Sequence, residues 1–190
     1  GTMEKWGLGY DDLKRINPGL IMTRVSGWGQ TGPYSQKPGY ASVAEAVGGL
    51  RYINGYPDLP PVRPNLSLGD SLAALHAVIG ILTALYHRDV AGSGKGQVVD
   101  VAIFESVFNM LESMVPEYDK LGIIREREGS TLSGIVPTGT YPCKEGKFVV
   151  IGGNGDSIFK RLCHAMGRAD MAEYRVAVAA VGQYAGVDRE

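Results

Sequence analysis

A long apolar stretch is the clearest feature in the pattern of hydrophobic and polar positions. Residues 71–87 contain no formally charged side chain when histidine is taken as neutral, and Ala, Leu, Ile and Val dominate them. Asp70 precedes the stretch and Arg88 follows it, an order of charge that complements a helix dipole. The pattern predicts a helix that is buried on most sides. The stretch also contains His76, Gly80, Thr83 and His87, which argue against a helix that spans a membrane.

Before this stretch, short helix-like and strand-like segments alternate. A short helix is predicted at 10–17, a β-type run at 20–25, and a glycine-rich loop at 26–33. A helix of small residues follows at 40–50, and a proline-rich loop covers 53–69. A tight loop at the carboxyl end of a strand is where α/β proteins place ligands, so loop 26–33 is a candidate binding element.

The pattern changes in the second half of the chain. Residues 98–115 predict another largely buried helix that ends at Pro116, and the charged residues 117–128 are typical of a linker. Beyond it we predict a hairpin with strands at 138–142 and 147–151, an amphipathic helix at 156–167, and a helical or frayed segment at 169–185. We place the boundary near 117–135, with one domain at 1–120 and a second at 121–190.

Composition excludes several classes of protein. The 190 residues carry 19 basic and 20 acidic side chains with no basic cluster, which argues against a nucleic-acid-binding protein. Apolar residues make up 44% and charged residues 21%, which is typical of a soluble globular protein. Two cysteines cannot form a disulfide framework or a four-cysteine zinc site, and no signal peptide is apparent. We therefore expect a cytoplasmic protein without a metal.

Two glycine-rich segments resemble phosphate-binding loops only in part. The GxGxxG pattern at 27–32 follows a predicted strand, but Pro33 and the Lys-Pro-Gly sequence at 37–39 prevent a helix from starting on the loop. This disfavours a dinucleotide site and leaves two alternatives, a structural turn or a binder of a substrate carboxylate or carbonyl. GSGKG at 92–96 has Gly96 after its lysine, where a P-loop needs Ser or Thr, so it predicts a turn.

Asp70 is the carboxylate with the most chemical interest. It follows Gly69 at the start of the long apolar helix, where an aspartate can act as an N-cap that stabilises the helix by about 1 kcal/mol. The same position favours the ionised form, and Gly69 leaves space for a ligand beside it. A carboxylate can also act as a covalent nucleophile towards an activated acyl group. The residues alone leave both interpretations open, with capping the simpler.

An ordered series of short motifs resembles a known family. The series is SGWGQTGP at 26–33, GY at 39–40, GG at 48–49, GD at 69–70, GILTAL at 80–85 and, after Arg88, GSGKGQVVDV at 92–101. Together these motifs resemble the class III CoA-transferases of the formyl-CoA and carnitine-CoA transferase type, which include the α-methylacyl-CoA racemases. The resemblance covers residues from about 4 to about 175.

The resemblance implies a fold and an assembly. It implies an α/β protein with the later part of a Rossmann-like large domain, long buried helices, and the start of a small α+β domain. It also implies a homodimer with two subunits interlocked like links of a chain. The substrates would be an acyl-CoA, which brings coenzyme A, and a small carboxylic acid.

The resemblance also assigns roles to residues. The nucleophilic aspartate of the family pattern falls on Asp70, which would attack the acyl-CoA thioester to form an acyl-aspartyl anhydride. CoA thiolate would convert the anhydride into an aspartyl-CoA thioester, from which the acceptor acid takes CoA. The substrate-binding positions, which would shape the acyl pocket, are Tyr40, Ser26, Gly27, Trp28 and Gln30.

The racemases of the family differ from this sequence at two positions. They place a histidine where this chain has Tyr40, and a glutamate in the small domain near Gly155, where this chain has Asp156 one residue away. Without both partners the chain lacks the acid and base needed to move an α-proton, so we favour a transferase and keep the racemase as the alternative. Residues 128–137 also lack the glycine run of the formyl-CoA members, which disfavours formate or oxalate as substrate.

Length is the main departure from the family, whose members are about twice as long. The first strands of the large domain, which supply most contacts to the CoA nucleotide, fall outside the resemblance, so no CoA-binding residues are assigned. We therefore expect the 190-residue chain alone to have little or no transferase activity. A non-catalytic remnant that folds or dimerises is a further alternative.

Overall fold

The structure, a computed structural model, describes residues 1–173 and divides into two units. The first unit comprises Gly1–Arg51 with Arg63–Glu112, and the second comprises Tyr52–Val62 with the chain from Ser113 onwards. The segment Tyr52–Val62 therefore belongs with the later part of the chain, although the sequence placed it inside the domain 1–120. The two units are described separately below.

Helices and two strands alternate in the first unit. Its elements are α1 (Thr2–Lys5), α2 (Tyr10–Ile16), β1 (Met22–Ser26), α3 (Ala41–Val47), α5 (Leu68–Leu85), β2 (Val98–Ala102) and α6 (Ile103–Phe108). The short helix α4 (Leu50–Ile53) lies where the chain passes from the first unit to the second. These positions match the helices, the strand and the loop 26–33 predicted before residue 90, to within a few residues.

The helix predicted at 98–115 is wrong at both ends, because its first part is a strand and α6 ends at Phe108. Residues Val98–Ala102 form β2, which pairs in parallel with β1 in the register Met22↔Val98 to Ser26↔Ala102. Three of the five residues of β2 are valines, whose branched side chains suit an extended strand. Parallel strands joined through helices make this unit α/β, as expected from the sequence.

Helix α5 packs on one side only. Ala73 and Ala77 contact a core that contains Ala44, Val101 and Ile103. A Cβ atom added to Gly80 would lie 2.5 Å from Cγ1 of Val99, so the glycine lets the helix approach β2 closely. The opposite side of the helix is exposed, and its large apolar side chains there are Leu75, Val78, Ile79 and Leu82.

This exposure corrects the expectation that the helix is buried on most sides. Continuing as a π-helical turn at Tyr86–Val90, the helix spans Leu68–Val90 and contains an 18-residue window with a mean hydropathy of 1.7. By length and composition it is long enough to cross a membrane. Core helices of soluble proteins share these properties, and in this chain one side of the helix packs on the α/β core.

The second unit contains helices and an antiparallel hairpin. Its elements are α7 (Met114–Leu121), β3 (Thr138–Pro142), β4 (Phe148–Gly152) and α8 (Asp156–Ala165), with 3-10 turns at Lys144–Gly146 and Ala169–Glu173. Strands β3 and β4 pair as the predicted hairpin, and α8 lies within the predicted helix 156–167. The rest of the helical or frayed segment predicted at 169–185 lies outside the described residues.

Pro116 does not end a helix, contrary to the sequence prediction. It is the third residue of α7, within the first turn, where a backbone N–H has no partner inside the helix. The next residue, Glu117, is buried and accepts hydrogen bonds from Arg125 Nε at 2.7 Å and from Ser113 Oγ. The bonds from Arg125 lower the pKa of Glu117 to about 2. The predicted linker 117–128 therefore begins as a helix held by a buried ion pair.

Candidate active site

The loop after β1 packs against the chain that leads into α3. A Cβ atom added to Gly27 would lie only 2.6 Å from Cα of Gly39, so the two backbones are in direct contact. The side chain of Trp28 lies over the same turn and donates from its indole Nε1 to the carbonyl of Pro38 at 3.2 Å. Glycine at position 27 is therefore required for this approach, and the loop brings the predicted pocket residues next to Tyr40.

Strand β2 and helix α6 anchor the same loop from the other side. The backbone N–H of Gln30 donates to Oδ2 of Asp100 at 2.8 Å, and the N–H of Phe104 donates to the carbonyl of Gly27 at 3.3 Å. The side-chain amide of Gln30 donates to Oγ of Ser26 at 3.4 Å. Ser26 and Gln30 therefore order the loop. Sequence reasoning missed the anchoring role of Asp100 because it placed this residue in a helix.

Tyr40 lies at the start of α3 with its ring open to solvent. Its backbone carbonyl accepts the N–H groups of Val43 and Ala44, which begins the helix. The residue is 77% exposed, so the phenol is accessible to a ligand. Its neighbour Ala41 packs 3.4 Å from where a Cβ atom on Gly69 would lie, so the starts of α3 and α5 touch directly beside it.

Asp70 is the third residue of α5. It is therefore not the N-cap of this helix, although the sequence suggested that role. Ser67 occupies the N-cap position, and its carbonyl accepts the N–H and the hydroxyl of Ser71. The side chain of Asp70 is exposed, and its carboxylate forms no hydrogen bond or ion pair with any residue in 1–173. The structure therefore leaves the carboxylate available, next to the buried Gly69 and close to the start of α3.

A buried glutamate fixes the start of α5. Glu45, on α3, is 0% exposed and accepts the N–H of Gly69 on its Oε1 at 3.1 Å. Its Oε2 accepts two bonds from Arg51, from Nε at 3.0 Å and from Nη2 at 2.8 Å. Burial by itself raises the pKa of Glu45, but the hydrogen bonds from Gly69 and Arg51 outweigh it and lower the pKa below the ordinary value of 4.5. The buried group is therefore an anion.

Arg63 is a second guanidinium beside this carboxylate. Its Nε lies 3.9 Å from Oε2 of Glu45, and its Nη1 donates to Oγ of Ser42 at 3.1 Å. Its Nη2 reaches the carbonyl of Leu66 at 3.5 Å, and the side chain is 41% exposed. Sequence reasoning missed both arginines. The available signal was a lone cation inside the proline-rich segment that leads to Asp70.

The remaining candidate groups have structural partners or lie in the second unit. Nδ1 of His76 donates to the carbonyl of Leu72 at 2.8 Å, and Nε2 accepts from Asn109 at 3.1 Å, so both ring nitrogens are satisfied. Asp156, the residue nearest the glutamate position of the racemases, begins α8 in the second unit. Within residues 1–173, no group of three or more His, Cys, Asp or Glu side chains is arranged to hold a metal ion.

Comparison with known proteins matches the whole site region. The family described as CoA-transferase family III matches residues 1–185. Succinyl-CoA–D-citramalate CoA-transferase of Chloroflexus aurantiacus is 54% identical over 172 residues, covering 90% of this chain and 42% of the relative. The beta subunit of succinyl-CoA–L-malate CoA-transferase of the same organism is 47% identical, covering 93% of this chain and 44% of the relative.

A solved structure agrees with the fold. The crystal structure of a CaiB/BaiF family protein from Brucella suis superimposes with a TM-score of 0.77 at 32% identity, covering 95% of this chain and 48% of that one. The α/β fold predicted from the sequence is therefore confirmed. The chain spans less than half the length of the curated relatives it matches.

Proposed function

The chain belongs to CoA-transferase family III, and from this premise we propose that it carries the nucleophile for CoA transfer from an acyl-CoA to a free carboxylic acid. The nucleophile is Asp70. The observation that carries the proposal is the exposed carboxylate of Asp70, unpartnered within residues 1–173, on the first turn of α5 beside the buried Gly69. A carboxylate that serves only to hold the fold together would be expected to have such a partner.

The proposed reaction conserves every atom and returns Asp70 to its starting state. A carboxylate oxygen of Asp70 attacks the thioester carbonyl, the C–S bond breaks, and CoA leaves as a thiolate. The thiolate attacks the aspartyl carbonyl of the resulting anhydride, which releases the donor acid and leaves an aspartyl-CoA thioester. The acceptor carboxylate then attacks this thioester and again releases CoA thiolate. The thiolate finally attacks the acceptor's carbonyl, which gives the new acyl-CoA and free Asp70.

The loop after β1 and the start of α3 form one side of the proposed acyl pocket. Tyr40 presents an exposed phenol that can donate a hydrogen bond to the thioester or anhydride oxygen. Ser26, Gly27 and Trp28 shape the wall, and Gln30 keeps the loop ordered through its bond to Ser26. Coenzyme A is a substrate in this scheme, and no metal takes part in it.

Relatives at about half identity act on substrates that share one chemical property. Their names give succinyl-CoA as donor and citramalate or malate as acceptor. Each acceptor carries two carboxyl groups, and the succinyl group keeps one free carboxylate besides its thioester. We propose that this chain likewise belongs to an enzyme for dicarboxylic acids. We also propose a homodimer in a cytoplasmic compartment. The exposed apolar side of α5 supports an assembly that covers it, and both cysteines of the chain are unpaired.

The test is the mass of the intact chain after incubation with succinyl-CoA, acetyl-CoA and butyryl-CoA, each with and without hydroxylamine. A single acylation is sufficient, so the low turnover expected of the chain alone does not prevent detection. We expect a hydroxylamine-sensitive adduct that maps to Asp70 and is absent from Asp70→Asn. The matched control Asp58→Asn removes a carboxylate in the second unit and should still be labelled.

Each alternative gives a different result in the same samples. A racemase would exchange deuterium from the solvent into the α-carbon of the acyl group without an adduct. A non-catalytic remnant would give neither an adduct nor heat of CoA binding in calorimetry. Labelling that persists in Asp70→Asn would show that another residue is the nucleophile.

A further inference from the structure

We propose that Arg63 binds the second carboxylate of a dicarboxylic acid whose first carboxyl group reacts at Asp70. The inference rests on the proposed function and names the group that selects its substrate. It begins from an imbalance of charge in the cluster formed by Glu45, Arg51 and Arg63, in which two guanidinium groups surround a single buried carboxylate.

Arg51 alone satisfies the charge of Glu45. It donates both Nε and Nη2 to Oε2 of Glu45 at 3.0 and 2.8 Å, and its side chain is only 20% exposed. Nε of Arg63 lies 3.9 Å from the same oxygen, which is beyond hydrogen-bond distance. The cluster therefore has one positive charge in excess, and it is on Arg63, the more exposed of the two arginines.

The position of Arg63 connects the two helix starts that hold the site. Its Nη1 contacts Oγ of Ser42, in the first turn of α3, two residues after Tyr40. The carboxylate beside Arg63 also holds the N–H of Gly69, and Asp70 is the next residue along the chain. Glu45 thus links Arg63 to the residue directly before Asp70, which places the excess positive charge and the proposed nucleophile beside the same buried side chain.

The chemistry of a guanidinium matches a carboxylate. Arginine presents several N–H donors in a planar fork, and a carboxylate accepts two of them side by side. Nη1 and Nη2 of Arg63 each use one N–H, on Ser42 and on the carbonyl of Leu66, so each keeps a second N–H, and the 41% exposure of the side chain allows an anion to approach. A phosphate group of CoA has similar chemistry, so the experiment must separate an acyl carboxylate from a CoA phosphate.

The test compares two acyl-CoAs that differ only by the second carboxylate. The rate of labelling at Asp70 is measured with succinyl-CoA and with butyryl-CoA in the unchanged chain, in Arg63→Gln and in Arg15→Gln. Arg15 is an exposed residue of α2 that pairs with Asp12, so its replacement removes the same charge in the same unit. We expect the labelling rate with succinyl-CoA to exceed that with butyryl-CoA by about ten-fold in the unchanged chain and in Arg15→Gln. In Arg63→Gln the ratio of the two rates should fall to about one.

The ratio of the two labelling rates distinguishes a carboxylate site from two rival roles of Arg63. If Arg63 only holds the loop, or if it binds a CoA phosphate, its replacement slows both reagents alike and leaves the ratio unchanged, which would overturn the proposal. If no acyl-CoA labels Asp70, the proposed function fails, and Arg63 is then judged by direct binding. For that purpose succinate and succinamate, its monoanionic analogue, are titrated into isotope-labelled chain while the amide signals of Ser42 and Gly69 are followed.

The binding measurement has its own pair of outcomes. Tighter binding of succinate than of succinamate, by about ten-fold and lost in Arg63→Gln, would support the carboxylate site independently of the covalent chemistry. Equal binding of the two compounds, or no shift with either, would contradict it.

Discussion

Replacing Glu45 by glutamine tests whether a buried anion holds the start of α5. Glutamine has nearly the same shape and keeps one oxygen, which can accept the N–H of Gly69 in place of Oε1. Its amide nitrogen cannot accept from Arg51, so the two bonds at 3.0 and 2.8 Å are lost. The substitution therefore removes a charge from a fully buried site and leaves the guanidinium groups of Arg51 and Arg63 without their counter-ion.

The expected loss follows from these contacts. Removing one partner of a buried ion pair costs about 3–5 kcal/mol, because the other charge remains desolvated. Arg51 is 20% exposed and regains part of its hydration, and the acceptor for Gly69 is retained. We therefore expect Glu45→Gln to lower the free energy of unfolding of the first unit by about 2–3 kcal/mol. With a urea dependence of about 2 kcal/mol per molar for a small unit, the midpoint moves by about 1–1.5 M.

Tryptophan fluorescence is the appropriate assay because both tryptophans of the chain, Trp6 and Trp28, belong to the first unit. The control Glu105→Gln changes an exposed glutamate of α6 and should shift stability by less than about 0.5 kcal/mol. The pKa of Glu45 is lowered in the folded state, so its contribution is full above the ordinary value of 4.5 and is lost as the pH falls below it. The reasoning would be refuted if the free energies of unfolding of the unchanged chain and Glu45→Gln differed by less than about 1 kcal/mol at neutral pH, or if their difference did not decrease in acid.

Two further predictions concern the loop after β1 and the second unit. Gly27→Ala should destabilise the first unit by about 1–3 kcal/mol in urea unfolding, because the new Cβ would lie 2.6 Å from the backbone of Gly39. The control Gly19→Ala, whose new Cβ would have its nearest neighbour at 3.4 Å, should destabilise the unit much less. Equal losses of stability in the two variants would contradict the close approach of Gly27 and Gly39. The pKa of Glu117 is lowered to about 2 by Arg125, so hydrogen-exchange protection of α7 should be constant above pH 4.5 and fall towards pH 2. In Glu117→Gln that pH dependence should disappear, and the free energy of opening of α7 at neutral pH should fall by about 3 kcal/mol. If the variant kept the same dependence of protection on pH, the ion pair would be excluded as the cause of that dependence.

Helices and strands that are determined by neighbouring residues could be predicted from the sequence. Strand β2 shows why other elements could not be predicted in this way. The hairpin of the second unit follows from two strand-like runs around a short turn, so neighbouring residues suffice. Residues Val98–Ala102 run directly into the apolar start of α6, and periodicity does not separate a buried strand from a buried helix. The distinction depends on pairing with β1, which lies far earlier in the chain.

The position of Asp70 could be predicted, but the charges that surround it could not. Its place after Gly69 in an ordered series of motifs is sufficient to single out Asp70 as the proposed nucleophile, without knowledge of any contact. The cluster beside it joins a helix, a short turn and a proline-rich loop, and no local pattern links Glu45 to both arginines.

One signal for this cluster was nevertheless present in the sequence. Ala41, Ala44 and Glu45 lie three and four positions apart, so they share the buried face of α3. A glutamate on the apolar face of a helix must be paired or neutralised, so the pattern predicts a buried ion pair even though it cannot name the partner. The structure supplies two cations where one is sufficient. The excess of charge arises because separate segments meet in the fold, which is why the role in specificity that we propose for Arg63 could be inferred only once the fold was known.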